Sequence, residues 1–215
     1  METDYTDLNL EEVRARAEQG EPGAELRLAA LHLEGRGVPQ DDALALSWAL
    51  RAAEKGLRAA QSFVGSLYFR GWGAERNYPE AIRWYIAAAD QGCPECQFNL
   101  GLIYYLGLGV LENRRMAAHW YRKSAGGGFH LALLNLGTMY GTGEGVTMSH
   151  EDARDCFLKA AEAGDARAQY NLGVMCLLGE GGPEDFGEAG RWFRLAAAQG
   201  HREAGFNLEY LERLE

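Results

Sequence analysis

Apolar and small residues recur with helical spacing along this chain, and segments 95–106 and 114–126 show the pattern well. In the first segment the i, i+4, i+7, i+8 spacing of one helical face is met by Cys96, Leu100, Ile103 and Tyr104. In the second segment the helical positions are Ala117, Trp120, Tyr121, Ser124 and Ala125. The pattern predicts two helices separated by a short turn.

Glycines mark the ends of these two predicted helices. Gly107 and Gly109 follow the first helix and Gly128 follows the second. Glycine adopts the left-handed conformation that a helix C-terminus needs, so each predicted helix ends there. Asn113 is the predicted N-cap of the second helix. One unit therefore reads helix A, glycine turn, helix B, glycine turn.

This unit recurs every 36 residues, and four residue series share the period. They are the unit-end glycines Gly20, Gly56, Gly92, Gly128, Gly164 and Gly200; the helix A glycines Gly65, Gly101, Gly137 and Gly173; the tryptophans Trp48, Trp84, Trp120 and Trp192, with Cys156 in the missing position; and the turn pairs Gly35/Gly37, Gly71/Gly73, Gly107/Gly109, Gly143/Gly145 and Gly179/Gly181. Such a period predicts an array in which each repeat packs only on its neighbours. We predict an all-α solenoid of about a dozen antiparallel helices and no sheet.

Small residues inside the predicted helices indicate close helix packing. Alanine recurs at one helix A position, at 24, 60, 132, 168 and 204, and Cys96 takes its place in the third repeat. A glycine inside a helix costs about 1 kcal/mol in helix propensity, so the helix A glycines predict a packing contact that offsets the cost.

The two ends of the chain depart from the repeat and are rich in charge. Glu209 stands where the series has glycine, and Glu212 stands where it has tyrosine. These departures predict charged capping helices that face water, at 1–19 and 200–215, with Glu215 at the C-terminal end. Between them we predict a single array of five repeats, with boundaries 20–55, 56–91, 92–127, 128–163 and 164–199.

Composition and charge narrow the class of protein. The formal net charge is -10 and the pI is about 5.1, which argues against a nucleic-acid partner. The longest apolar run, 98–111, is too short to span a bilayer, so no membrane insertion is predicted. The first twenty residues lack the apolar segment of a secretory signal. We therefore expect a cytoplasmic protein, or a secreted or periplasmic one if a signal peptide has been removed.

The repeat reads A-x-x-x-L-G-x-x-Y-x-x-G-x-G-V, then A-x-x-W-Y-x-x-A-A-x-x-G, and it resembles the Sel-1-like repeat (SLR), a relative of the tetratricopeptide repeat. The match is literal in ALLNLGTMYGTGEGV at 132–146 and in AIRWYIAAADQG at 81–92, and it covers about 20–215. Departures are Cys156 for Trp, Cys176 and His32 for Tyr, and Gly182 for Val. The resemblance implies a right-handed α-solenoid superhelix that serves as a protein-binding scaffold or adaptor. Members of the family that it resembles act in signalling, in envelope and secretion-related assemblies, and in host–microbe contact.

Two motifs invite a chemical interpretation. The G-x-G pairs follow helices and recur with the period, so they indicate turns and not phosphate-binding loops. Cys93 and Cys96 form a C-x-x-C at a helix start, which could serve redox chemistry or a metal. Cys96 occupies the alanine position and no second C-x-x-C completes a zinc site, so a structural role is favoured. Cys96→Ala is then expected to cost about 1 kcal/mol, and no metal or cofactor is predicted.

Polar residues on the helices have structural and functional interpretations. One helix A position is shared by Asn99, Asn135, Asn171 and Asn207, which are expected to bond an inter-repeat turn, with a ladder of ligand-binding side chains as the alternative. A basic strip on one helix B is either a solvated face or a second candidate for docking an acidic partner; it comprises Arg114, Arg115, His119, Arg122 and Lys123. No nucleophile, base and orienting residue share a motif, so the chain is predicted not to be an enzyme.

Apolar residues beside the Leu-Gly-x-x-Tyr core of helix A form the primary candidate surface. In related solenoids helix A lines the concave side, so we expect this inner stripe to face a groove and folding not to need it. The stripe comprises Phe69, Phe98, Leu102, Tyr105, Leu134, Tyr170, Val174, Leu177, Phe206 and Tyr210. It predicts a groove that binds an apolar or amphipathic segment of another protein or a peptide. The alternatives are burial between helices A, a self-associating homo-oligomer, and a redox or metal module using Cys93 and Cys96.

Overall fold

The computed structural model describes residues 9–213, and this part of the chain is all-α, with twelve helices and no strand. The helices are α1 (Leu10–Glu18), α2 (Pro22–Glu34), α3 (Asp42–Glu54), α4 (Arg58–Arg70), α5 (Tyr78–Asp90), α6 (Pro94–Leu106), α7 (Arg114–Gly126), α8 (His130–Thr142), α9 (His150–Glu162), α10 (Ala166–Leu178), α11 (Phe186–Ala198) and α12 (Arg202–Glu212). Even-numbered helices are the predicted helices A and odd-numbered ones the helices B. The all-α fold with repeats of about 36 residues is confirmed.

The helices group into two compact units. The first comprises Met1–Ile103 and Gly107–Leu111, and the second comprises Tyr104–Leu106 and Glu112–Glu215. The outer parts of both predicted capping helices, 1–8 and 214–215, lie outside the described residues, as does the side chain of Glu212. In the first unit α1 packs on α2 through Val13 and Ala17, which join a core with Leu28.

Glycine ends the helices as predicted. The six unit-end glycines all follow a helix B and have φ between 78° and 92°. The first glycine of each turn pair is a left-handed C-cap, with φ between 67° and 77°. Among the described residues no other residue type has a positive φ. Asn113 caps α7 by accepting the Met116 N–H, as its position predicts.

The second glycine of the last four turn pairs has a further role, which is a tight contact with the preceding repeat. A Cβ on Gly181 would collide with the backbone carbonyl of His150, the first residue of α9. Gly145 meets the carbonyl of Arg114, at the start of α7, in the same way. In these four turns the glycine lies against the first residue of the previous helix B, and a side chain does not fit there without a shift.

The helix A glycines pack under an aromatic ring of their own repeat. A Cβ built on Gly173 would lie 2.7 Å from the ring carbons of Phe193, and one on Gly137 would lie 2.8 Å from Phe157. Both rings are buried. The predicted packing contact is therefore confirmed. It lets α11 approach α10 closely, and α9 approach α8.

A periodic set of buried polar side chains links successive repeats. Gln61, Gln97 and Gln169 of helix A each donate to a carbonyl in the last turn of the preceding helix B. Two of these glutamines also accept a 2.8 Å bond from the glutamine 30 residues later, in the pairs Gln61–Gln91 and Gln169–Gln199. We did not predict this set from the sequence, although its glutamines recur with the period.

The first repeat replaces the glutamine pair with buried charges. Glu25 is fully buried and lies 2.7 Å from Lys55 Nζ and 2.9 Å from an Arg51 nitrogen. Lys55 also donates to the Gly20 carbonyl at 2.8 Å. Lys55 stands at the position of Gln91. In neighbouring repeats, a charged pair and an amide pair therefore make the same contact between a buried helix A side chain and the residue 30 positions later.

Two of the helix A asparagines, Asn99 and Asn135, bind a tyrosine hydroxyl, which differs from our expectation of a bond to an inter-repeat turn. Asn99 hydrogen-bonds the hydroxyl of Tyr85, and Asn135 that of Tyr121, in each case on the preceding helix B. Burial raises the pKa of Tyr121 to about 12, against the lowering effect of the Asn135 hydrogen bond. The sequence signal was the tyrosine 14 residues before Asn99 and before Asn135.

Candidate protein-binding surfaces

In the first unit the inner-stripe residues Phe69, Phe98 and Leu102 are half-buried. Phe69 packs edge-on against Tyr78, with ring centroids 5.4 Å apart. It borders a hollow of about 390 Å³ whose lining is Phe69, Arg70, Trp72, Arg76 and Tyr78. Trp72 is 40% exposed there and carries the Arg70 guanidinium 4.6 Å above its ring. The hollow therefore combines aromatic walls with positive charge.

In the second unit the inner stripe borders a hollow of about 360 Å³. Thr138 of α8 and Tyr170 and Val174 of α10 are among its lining residues. Two ionisable side chains also line it: His150 Nδ1 lies 3.8 Å from a carboxylate oxygen of Glu180. This arrangement offers apolar contact together with polar groups that can orient a bound segment.

Several stripe residues also support the fold. The ring of Tyr170 stacks on His201 at 4.5 Å, and Tyr170, Val174 and Leu177 pack against the hydrophobic core. Leu134 corrects the predicted stripe, because it is only 6% exposed and belongs to that core. The expectation that folding does not need the stripe is therefore wrong for these four residues.

Two stripe residues on α12 are open to solvent. Phe206 is 69% exposed and Tyr210 is 59% exposed, and they stand four residues apart on one face of α12. They occupy the positions of Tyr170 and Val174 one repeat later. They are the stripe residues at which substitution is least expected to disturb folding.

Tyr105 belongs to a charged cluster. Its hydroxyl donates to Glu144 Oε2 at 3.1 Å, and the Arg114 guanidinium lies 3.7 Å from its ring centroid. Arg114 also pairs with Glu112 at 2.8 Å and with Glu144 at 3.4 Å. Burial lowers the pKa of Arg114, but the hydrogen bond to Glu112 and the neighbouring acidic charges outweigh it, so the pKa is raised.

The basic strip on α7 is divided by these contacts. Arg114 faces Tyr105 and its two carboxylates, so it does not join the others in one basic surface. Arg115 and Arg122 line a hollow of about 700 Å³, together with Tyr140, Ser149 and Asp152 among others. His119 and Lys123 instead lie against the ring of Trp120, at 5.4 and 4.8 Å. Two arginines of the strip thus share one hollow.

The cysteines occupy two kinds of environment. Cys93 and Cys96 are joined as a disulfide at the start of α6, with Cα atoms 5.3 Å apart. We did not predict this bond from the sequence, although Cys96 is fully buried at the alanine position as expected. Cys156 and Cys176 are free and buried. Within 9–213 no three His, Cys, Asp or Glu side chains are placed to share a metal ion, and no helix is long and apolar enough to cross a membrane.

Alkaline pH is expected to destabilise the protein through Cys156. Burial raises the pKa of this thiol from 9.0 to about 11. Between these values the unfolded chain loses the proton first, so stability falls as pH rises, by about 2 kcal/mol near pH 11. Urea unfolding of wild type and Cys156→Ala at pH 8 and pH 11 measures this. The wild type should lose more stability than the variant; equal losses would contradict the assignment to Cys156.

Comparisons with known proteins agree with this architecture. The model of the Sel1 repeat matches residues 22–57, 58–93, 94–129, 130–165 and 166–201. A protective antigen of uropathogenic Escherichia coli with an SLR fold is 31% identical, with a TM-score of 0.84 over 95% of this chain and 52% of that one. This chain thus spans about half the length of that structure. A Sel1 repeat protein from Oxalobacter formigenes is also 31% identical, with a TM-score of 0.84 over 89% of this chain and 79% of that one.

A more distant structure shares the fold alone. An immunity protein from Pseudomonas aeruginosa is 24% identical, with a TM-score of 0.50 over 86% of this chain and 68% of that one. The comparison with curated proteins found no match. The five matched repeats cover most of the chain and carry the glycine, tryptophan and alanine series described above. The chain therefore belongs to the Sel1 repeat family.

Proposed function

We propose that this protein is a non-catalytic scaffold or adaptor whose inner stripe, without the buried Leu134, binds an apolar or amphipathic segment of a partner protein. Sel1 repeat proteins are generally protein-interaction scaffolds. The observation that carries the proposal is the hollow bordered by Thr138, Tyr170 and Val174, with Phe206 and Tyr210 exposed at the equivalent positions of α12. An amphipathic helix docked on such a surface would place its apolar face against these side chains.

The two exposed aromatic side chains can contribute free energy of binding. Phe206 and Tyr210 remain largely in water in the free protein. Burying each against a partner would contribute roughly 1.5–3 kcal/mol. Aromatic side chains at the centre of an interface also tend to dominate binding energy. A segment that covers both would therefore gain affinity without any rearrangement of the fold.

The charge distribution supports a protein or peptide partner over nucleic acid. The chain is acidic, with a formal net charge of -10. A nucleic-acid backbone would be repelled by that field. The stripe instead offers apolar contact bordered by His150 and Glu180, which suits a segment with both apolar and polar faces.

A redox function for Cys93 and Cys96 has less support. The two residues form a disulfide, with Cys93 6% exposed and Cys96 fully buried. Thiol–disulfide exchange needs access for an attacking thiolate, and this burial restricts it. A structural role at the start of α6 is the better-supported assignment.

The double substitution Phe206→Glu and Tyr210→Glu is expected to abolish partner binding and leave the fold intact. Two charges would replace two apolar contacts, so recovery of the partner should fall about tenfold or more. The partner is identified by pull-down with the intact wild-type chain and mass spectrometry, and recovery is then quantified for each variant. Melting temperature, followed by circular dichroism, reports the fold.

Leu195→Glu is the matched control, because Leu195 is also exposed, at 43%, but lies on the helix B α11. It should recover the partner like the wild type. Normal recovery by the Phe206/Tyr210 variant would show that the stripe does not bind the partner. If light scattering shows that the wild type is an oligomer and that the Phe206/Tyr210 variant is not, self-association would be favoured instead.

A further inference from the structure

The fourth repeat lacks the tryptophan that the other repeats place on helix B. Trp84, Trp120 and Trp192 are buried at that position, each at most 7% exposed. In the first unit Trp84 packs in a core with Leu46 of the preceding helix B and Val64 of its own helix A. Cys156 of α9 stands at the same position, 36 residues after Trp120. A thiol is far smaller than an indole, so the fourth repeat leaves part of this space unfilled.

The structure has a hollow of about 430 Å³ beside Cys156. Its apolar lining comes from α7 and α8 and includes Ala125, Leu133 and Leu136. Polar side chains also line it: Arg122, His130, Tyr140, Asp152, Asp155 and Lys159. A Cβ added to Gly126, which also lines the hollow, would meet nothing within 4 Å. The walls are thus the preceding helix B and the same repeat's helix A, as they are for Trp84 in the first unit.

A cation also stands near Cys156, at the position three residues later that Arg51 and Lys123 occupy relative to Trp48 and Trp120; for Trp84 and Trp192 the cation is instead the preceding residue. Each tryptophan of the series has a basic side chain over its ring, in the pairs Trp48–Arg51, Trp84–Arg83, Trp120–Lys123 and Trp192–Arg191, with distances of 4.3 to 5.0 Å. Lys123 follows Trp120 by three residues, and Lys159 follows Cys156 by three. Lys159 lines the hollow and pairs with Asp155 at 3.0 Å, where its counterpart lies on an indole.

We propose that this hollow, defined by Ala125, Leu133, Leu136, Cys156 and Lys159, binds a tryptophan side chain of a partner protein. The chain itself indicates the occupant, because it places an indole and a cation together at the other four positions of the series. The hollow supplies apolar walls for the ring and an ammonium group for its face. None of its lining residues belongs to the inner stripe, so the site is separate from that stripe and goes beyond the proposed function.

The test measures binding of N-acetyl-L-tryptophanamide to the intact chain by the chemical shifts of backbone amides. We expect saturable shifts at Gly126, Leu133 and Cys156 in the wild type. Cys156→Trp fills the hollow with the chain's own indole, so it should weaken binding more than tenfold and raise the melting temperature by about 2–6 °C. Lys159→Met keeps the alkyl stem and removes the charge, and should weaken binding roughly threefold.

Other outcomes would overturn the proposal. One is an absence of saturable chemical-shift changes in the wild type, and another is unchanged probe binding by Cys156→Trp. A third is failure of both Cys156→Trp and Cys156→Phe to fold, because the space would then not accept an aromatic ring. Free indole binding tenfold tighter than the amide would assign the hollow to a small molecule. A wild-type dimer that Cys156→Trp dissociates would assign it to a second copy of this chain. Phe206→Glu/Tyr210→Glu should bind the probe normally, which keeps this test independent of the proposed function.

Discussion

Gly181→Ala is expected to destabilise the protein by about 4 kcal/mol. Two costs add at this position. Gly181 has φ +68°, and a left-handed conformation costs a residue with a Cβ about 1–2 kcal/mol. The new Cβ would also collide with the carbonyl of His150 and lie 3.0 Å from the Glu151 nitrogen. These are backbone atoms, so relief requires α9 to move away from the turn.

Gly164→Ala separates the two costs. Gly164 has φ +92°, but a Cβ there would meet nothing within 4 Å. Only the conformational cost applies, so the loss should be about 1–2 kcal/mol. Urea unfolding of both variants and the wild type at neutral pH measures the difference. Equal losses would mean that the contact between the turn and the start of α9 does not contribute to stability.

Lys55→Met should destabilise the protein by about 3 kcal/mol. Glu25 is fully buried, and Lys55 lies within hydrogen-bond distance of both its carboxylate oxygens, at 2.7 and 2.8 Å. Removing one partner of a buried ion pair leaves a charge without its compensation, which typically costs 3–5 kcal/mol. Arg51 remains 2.9 Å away and Lys55 is 38% exposed, so the lower end of that range applies.

The second repeat suggests a double variant that should restore the stability lost by Lys55→Met. The double variant Glu25→Gln and Lys55→Gln reproduces the Gln61–Gln91 pair, which forms a 2.8 Å bond between the same two positions one repeat later. This variant should recover most of the stability that Lys55→Met loses, because each buried polar group again has a partner. Thermal and urea unfolding should agree on the order. A double variant as unstable as Lys55→Met would show that charge at Glu25 is itself required.

The candidate surfaces could be predicted only in part, because exposure depends on neighbours that are distant in sequence. Phe98, Leu134 and Tyr170 share one repeat position, yet Leu134 is buried while the other two are half-buried. Arg114 and Arg115 are adjacent, yet Arg114 turns to Tyr105 while Arg115 lines the large hollow. A repeat position determines the helix and the approximate face, but the side chains packed around it differ between repeats.

The amino-acid sequence by itself determined the helices, their ends and their period. These features depend on local preferences, such as the left-handed conformation of Gly164 and the capping of α7 by Asn113, which act within a few residues. Only the tertiary structure decided the contacts between repeats, such as Gly181 on His150, Glu25 with Lys55, and the open space beside Cys156. Those contacts join residues from different helices, or depend on the volume left between them, and helix packing sets both distances and volumes.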